Sequence, residues 1–493
     1  MSNLSKGFKY LLGGSALQSF FRIGITAILA RILTPEDFGL LATAMIVTGF
    51  ADLFVQFGFG QGLVQKKEID QSDIGTAYTS SLILGVIFCI LVLVLSHPLA
   101  LYFKQPDLER ILWLLSIIFP IKSFSQVQFS LLQKNKKFKV LAGRDAFSFV
   151  LGYGLISLVL AYFGYGVYSL VWGIIAQSII YSILLSIGQN QYPLKFTFSK
   201  EKFNSLFNFG KNLTYAKIAN YFALKGDYFV VSRIMGAENL GYYSRAYGLM
   251  NFPHSIIGNV LNTLLFVEFS DSQDNKEKLT SMVRDYLALL FFITGPVSLF
   301  AFILAPEIIS ILLGDQWTNT IIPFRILALV IVFKIGYKIT GTLIKGIAKL
   351  ERYAKIQVIY CFSVLLGAYF GSYYGLAGVA LGTNIALIIM FSLLLQMVIE
   401  NTNYKWIDFF KLVFNSTIYT FIVGIIPVII YFTFSFIPLN EFSRLILISI
   451  IGGISFFGVT LNKRLAELLK FRLLYNTLKS IMSNLKLKNK NVR

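Results

Sequence analysis

Long apolar runs separated by short polar stretches set the rhythm of the whole chain. Runs long enough to cross a bilayer fall near 10–30, 38–58, 77–96, 110–130, 144–163 and 166–187. A second set lies near 211–233, 240–264, 282–304, 320–344, 356–374 and 376–398, and a last pair near 411–433 and 443–462. A helix needs about 20 apolar residues to span the hydrocarbon core. The pattern therefore predicts an all-α polytopic membrane protein of about 14 transmembrane helices. Residues 203–209 are too few to span and are expected at the membrane surface. The first run is too long for the apolar segment of a cleaved signal peptide, so it is expected to remain as a helix.

Polar positions give the orientation. Lys and Arg gather in alternate loops: Lys6 and Lys9, Lys66 and Lys67, Lys134 to Arg144, Lys195 to Lys202, Lys276 and Lys278, Lys345 to Lys355, and Lys405. The opposite loops hold little beyond Arg31, Lys104, Arg110, Arg233 and Arg444. Cytoplasmic loops carry the excess of Lys and Arg. Both termini are then cytoplasmic, as an even number of spans requires. The tail 463–493 is basic, with Leu465, Leu468, Leu469, Leu474 and Leu478 at helical spacing. That composition predicts an amphipathic helix resting on an anionic inner leaflet.

An internal repeat organises the runs. Arg31-Ile-Leu-Thr-Pro-Glu-Asp-Phe-Gly39 returns as Arg233-Ile-Met-Gly-Ala-Glu-Asn-Leu-Gly241, with Arg, Ile, Glu and Gly in register 202 residues on. Phe147-Ser148 and Gly152 return as Phe362-Ser363 and Gly367, and the turns at 164–173 and 373–382 match in spacing. Residues 1–190 (helices 1–6) and 191–400 (helices 7–12) thus read as two pseudo-symmetric six-helix lobes. Each copy has an even number of helices, so the two insert the same way up, with a cavity expected between them. Helices 13 and 14 (401–462) are two additional helices outside the repeat, followed by the tail. Thr34-Pro35-Glu36-Asp37 reads as an N-cap, a first-turn proline and two carboxylates at the positive end of a helix.

Composition narrows the function classes. Hydrophobic residues make up 56% of the 493 and charged residues 14%, against about 25% charged in a soluble domain. The net charge of +20 would suggest nucleic acid in a soluble protein, but here the cations sit in loops between spans, which excludes that partner. Cys89 and Cys361 lie apart inside apolar runs, and His97 and His254 are isolated, so no metal site is expected. GFGQG (58–62) follows a span rather than a buried strand and reads as a turn. The GxxxxGK[ST] pattern is absent, so no nucleotide cofactor and no enzyme activity is expected.

What remains is charge inside the spans: Arg22, Asp52, Lys122, Lys225, Asp227, Arg325, Lys334 and Lys338. An ionised group facing lipid at mid-membrane costs at least about 2.5–3.5 kcal/mol. Arg325 lies near a helix end and can snorkel, whereas Lys122 and Lys334 are too deep to escape easily. Aligning FSLLQ (129–133) on GTLIK (341–345) superposes Lys122 on Lys334. Lys334 and Lys338 share a helix face. Arg22, Lys122, Lys225, Lys334 and Lys338 are thus the expected lining of a cationic cavity. Asp52 and Asp227 are expected as their charge partners or as ion-coupling groups. Such a cavity suits an anionic substrate such as a phosphate or pyrophosphate.

The stretches ARILTPEDFGLLATA (30–44), LVQKKEID (63–70) and DYFVVSRIMGAENLGYYSRAYGLM (227–250) resemble the Wzx-like polysaccharide and oligosaccharide flippases. These belong to the multidrug/oligosaccharidyl-lipid/polysaccharide exporter superfamily, here in the flavour of its lipopolysaccharide, colanic-acid and teichuronic-acid exporters. The resemblance implies a V-shaped pair of six-helix lobes in a bacterial plasma membrane. It implies export of undecaprenyl-pyrophosphate-linked oligosaccharide by alternating access, among membrane lipids and beside polymerase or glycosyltransferase partners of the same pathway. It also implies that cavity cations meet the lipid pyrophosphate, and it matches Asp227 and Arg233 to a recurrent Asp…Arg pattern. Alternatives are a lipid II or drug exporter of the same superfamily, the drug reading requiring an acidic cavity. A membrane glycan polymerase would need a long external loop, and the sequence has none.

Overall fold

The computed structural model describes residues 20–187, 196–435, 440–469, 474–476 and 479. All regular structure among them is helical. Ten helices are long and apolar enough to cross a membrane, and the bent pair Asp315–Ala328 and Ile331–Gly346, meeting at 47°, makes up to eleven. These eleven fall on eleven of the expected runs. The expected spans near 211–233 and 240–264 lie within the helical stretch Lys200–Asp271 and are not among the ten, and that near 10–30 begins outside the described residues. A multi-pass helical membrane protein is thus the architecture, with ten to eleven spans of the expected fourteen identified.

The chain divides into two compact units. The first comprises Met1–Arg245 with Val364–Val379. In it, Thr34 caps helix Pro35–Val55 as expected: its hydroxyl accepts from the Asp37 N–H at 3.2 Å, and Asp37 reaches back to the Thr34 N–H at 2.9 Å. Such a cap is worth about 0.5–2 kcal/mol. At the repeat-equivalent position the backbone breaks at Gly236, where φ is 86°. An L side chain is strained there, and glycine is not. Beyond the break the two copies pack on each other through glycines. A Cβ on Gly39 would collide with the Ala237 carbonyl, and a Cβ on Gly241 with that of Pro35. The hydroxyls of Thr43 and Ser232 meet at 2.7 Å alongside. Residues 200–245 therefore fold with the first six helices, so compactness and the repeat cut the chain at different places.

Helix Gln71–Phe103 packs on Leu108–Ser116 and Ile118–Lys134. At one end of these helices Phe59, Leu63, Ile74, Tyr78, Val127 and Leu131 form a buried cluster that also takes in Leu206. The stretch 203–209 is thus partly core, because Phe203 and Leu206 find apolar partners there. Gly58 supplies the turn expected of GFGQG, in the left-handed region, and the rest of that motif begins helix Phe59–Gln65. Beside it Lys66 and Lys202 both bridge to Asp73, at 2.7 and 3.4 Å, and Lys202 to Asp70 at 3.0 Å. The Asp73 backbone N–H, and then the Lys202 ammonium, hold the Asp70 carboxyl below its ordinary pKa.

The second unit comprises Ala246–Ser363 and Ala380–Arg493. Helix Lys276–Ile303 packs along Trp406–Ser435, which packs on Glu441–Thr460. The tail begins with helix Lys463–Leu468, capped by Asn462. Ala466, Leu469 and Leu474 are buried in one cluster with Phe292, Tyr419 and Val423, while Leu468 is exposed. Part of the tail's apolar face therefore covers protein, where a preformed aromatic surface offers close packing. Leu478 and the last residues lie outside the described part.

Candidate functional site

The charged residues within the spans fall into three groups. In the first unit, Asp52 sits in the last turn of helix Pro35–Val55, and Lys122 is the fifth residue of Ile118–Lys134. The Lys122 ammonium donates to Asp52 Oδ2 at 3.3 Å, and Gln56 Nε2 donates to the same oxygen at 2.7 Å. Asp52 Oδ1 is buried and accepts no hydrogen bond from a described residue. Lys217 and Tyr221, from the stretch beginning at Lys200, lie within the field of this carboxylate. Lys122 keeps 39% of its side chain exposed. A pair this wet contributes little stability, about 0–1 kcal/mol, and can open.

A second group surrounds Arg245. Its guanidinium lies over the Phe38 ring at 4.6 Å, and its Nε is buried without a hydrogen-bond partner among the described residues. Its charge acts on Lys225, Tyr153 and Tyr228. The Lys225 ammonium stands 4.1 Å over the Tyr228 ring, and Arg22 stands 5.4 Å over Phe149. Asp227 is buried and accepts from the Tyr243 hydroxyl and the Tyr228 backbone N–H, each at 2.9 Å. Its charge also acts on Lys225. Arg233 lies over Tyr102 at 4.9 Å.

The third group is a stripe on helix Ile331–Gly346 in the second unit. Lys334 is 5% exposed and stands 3.7 Å over the Tyr247 ring. Lys338 follows one turn on, and Lys345, 5.6 Å over Tyr353, continues the same face. Lys338 and Lys345 repel each other, so an anion lying along this face relieves that repulsion. Cation–π contacts of this kind give about 0.5–2 kcal/mol each without neutralising the charge. Lys122 and Lys334 occupy matching places. Each stands one turn into the second segment of a broken helix, after Leu108–Ser116 in one copy and Asp315–Ala328 in the other.

Of the expected site residues, the first unit holds Arg22, Asp52, Lys122, Lys225 and Asp227, and the second Lys334 and Lys338. Asp52 finds the cation expected of it. Sequence reasoning passed over Lys217 and Arg245, although both lie inside apolar runs and the same search for buried charge finds them. It placed Lys345 in a loop, whereas the helix carries it onto the lysine stripe. Arg325 donates its Nε–H to the Phe302 carbonyl at 3.2 Å, as a side chain near a helix end does.

Among the described residues, cations are thus held on aromatic faces within the apolar helices of a multi-pass membrane protein. The chain belongs to the polysaccharide biosynthesis protein family, whose model matches residues 28–323. It is 26% identical over 377 residues to the lipopolysaccharide biosynthesis protein WzxC of Escherichia coli K12, covering 75% of this chain and 76% of that one. It is 26% identical to a putative O-antigen transporter of Shigella flexneri, covering 80% of this chain and 97% of that one. The teichuronic acid biosynthesis protein TuaB of Bacillus subtilis is 21% identical over 73% of this chain and 76% of its own length. In fold, the chain is similar to the lipid II flippase MurJ in an inward closed conformation, with TM-score 0.75, 18% identity and coverage of 91% and 97%. A multidrug transporter of the MATE family in an inward-facing conformation follows at TM-score 0.63, 16% identity and coverage of 78% and 95%.

Proposed function

We propose that the protein is a flippase for lipid-linked oligosaccharide, carrying undecaprenyl-pyrophosphate-linked units across a bacterial plasma membrane for surface polysaccharide synthesis. Its lobes, 1–190 and 191–400, would alternate access to a cavity between them, with both termini in the cytoplasm. The observation that carries this reading is the lysine stripe of helix Ile331–Gly346, where Lys334, 5% exposed and 3.7 Å over the Tyr247 ring, shares one face with Lys338 and Lys345. Three lysines along one face of a membrane helix repel one another, and a visiting anion would relieve that repulsion. In this reading Lys122 and Lys334 meet the head group from the two lobes, and Lys225, Lys338 and Arg22 extend the cationic lining. Asp52 holds Lys122 until substrate arrives, and Asp227 balances the Arg245 group. Polymerase and glycosyltransferase enzymes of the same pathway would be its neighbours.

The test uses inverted vesicles containing labelled pyrophosphate-linked oligosaccharide lipid, with leaflet accessibility read by an impermeant lectin or oxidant. Vesicles with the protein should move label to the lumenal leaflet faster than empty ones. Equal rates would overturn the reading. Accumulation of a cationic dye in the lumen under the same conditions would favour the drug-exporter alternative.

A further inference from the structure

A cavity of about 330 Å³ in the second unit lies apart from the lysine stripe, and the transport reading does not use it. It opens between helix Lys276–Ile303 and the first three turns of Trp406–Ser435. Its polar wall carries Arg284, Lys411, Asn415, Asp408 and the Tyr404 ring, and its floor is Ala288, Phe292 and Leu412. Leu469 of the tail closes one side. The volume falls in the range of small-ligand sites, about 300–1,000 Å³.

Charge favours an anion here. Asp408 is already engaged, since its Oδ2 accepts the Lys405 backbone N–H at 3.2 Å. Arg284 and Lys411 outnumber it among the lining residues, and both side chains are exposed. The positive end of helix Trp406–Ser435 lies beside them. Arg offers a planar fork and Lys a point charge, the pairing that suits phosphate. Asn415 adds an amide donor.

Surroundings favour a lipid as the bearer of that anion. Trp406 stands at the start of the helix, and Trp and Tyr concentrate where head groups meet the hydrocarbon. Ile407, Phe410 and Phe414 form an exposed apolar face next to the polar wall, 54–66% exposed. A phosphate in the cavity would have room for acyl chains along that face.

We propose that this cavity is a binding site for the phosphate of an anionic membrane lipid, from the leaflet on the tail's side of the membrane. Because Leu469 forms one wall, an occupied site also fastens the start of the tail.

The test is native mass spectrometry of the full-length protein in detergent, with phosphatidylglycerol and phosphatidylcholine titrated separately. The wild type should retain phosphatidylglycerol about tenfold more tightly, a difference of about 1.4 kcal/mol. Arg284→Ala/Lys411→Ala should lose that preference, while Lys463→Ala, which removes a charge outside the cavity, should keep it. Thermal unfolding with inorganic phosphate separates the sources. Stabilisation by phosphatidylglycerol alone assigns the site to lipid, and equal stabilisation by free phosphate assigns it to a soluble phosphate compound and overturns the lipid. No preference in the wild type, or the same preference in the double variant, overturns the site. None of these readings depends on transport.

Discussion

Gly39 and Gly241 stand 202 residues apart and pack reciprocally: Gly39 against the Ala237 carbonyl, Gly241 against the Pro35 carbonyl, where 35 and 237 are themselves repeat partners. A contact that maps onto itself when the copies are exchanged marks a local two-fold axis. That axis passes through the first compact unit, which is why helical residues up to Arg245 fold with the first copy.

This contact yields a stability prediction. A Cβ at either glycine meets backbone rather than a movable side chain, so the helices must separate. Overpacking of this kind costs about 1–3 kcal/mol. Gly39→Ala and Gly241→Ala should each lower the thermal midpoint in detergent. The double variant should lose less than the sum, because one separation relieves both clashes. Strict additivity would mean the two glycines do not share an interface.

The same pair shows what the sequence could and could not reveal. The repeat was legible because Arg, Ile, Glu and Gly recur in fixed register, and eleven spans were legible because hydropathy depends on composition alone. The reciprocal glycine contact was not, since register says nothing of which faces meet. Asp52 and Lys122 are 70 residues apart, and only the packing of their helices makes them a pair. The tail's leucines were read as lipid-facing because an apolar stripe does not say what covers it, and the cluster around Phe292 and Tyr419 takes in Leu469 and Leu474, with Leu465 packed against it. Arg245 hid in plain view, at the position where the first copy has Thr43.

Topology can be checked directly. Lys137 and Lys349 follow the matching broken helices, whereas Gly164 lies in the turn before the helix that starts at Val167 and Asp315 opens the helical segment Asp315–Ala328. Reporter fusions at the two lysines should read cytoplasmic and those at Gly164 and Asp315 external. A shared location for all four would break the even-numbered arrangement.

The Asp52–Lys122 pair predicts an asymmetry between binding and turnover. Asp52→Asn removes the internal anion but leaves Gln56 a partner, so the protein should fold. Lys122 then meets pyrophosphate without first losing its own counter-ion, and affinity should rise severalfold. Release should slow, and the flipping rate should fall although binding improves. Lys122→Ala should weaken binding instead. A fluorescent pyrophosphate lipid, titrated by anisotropy, separates the two, and identical binding by all three proteins would show that the pair stands outside the substrate path.

Driving force gives the last prediction. Moving a pyrophosphate outward carries about two negative charges away from a negative interior, and at about 2.3 kcal/mol per charge per 100 mV the potential alone supplies on the order of 4–5 kcal/mol. That energy is available only while the head group remains charged, so the protein must lower its desolvation cost without cancelling its charge. An ammonium at Lys334, 3.7 Å over the Tyr247 face, suits the proposed task, since a single cation could contact the anion and still release it. Lys334→Ala should therefore slow flipping more than tenfold and remove most of its response to an imposed potential. Lys334→Arg should retain a measurable part of both, because its guanidinium still stacks on the ring. Circular dichroism and detergent stability of the two variants should match, so that lost transport is not lost folding. Inverted vesicles with a potassium-diffusion potential of either sign provide the measurement. Wild-type flipping that ignores the sign of the potential would sink this mechanism.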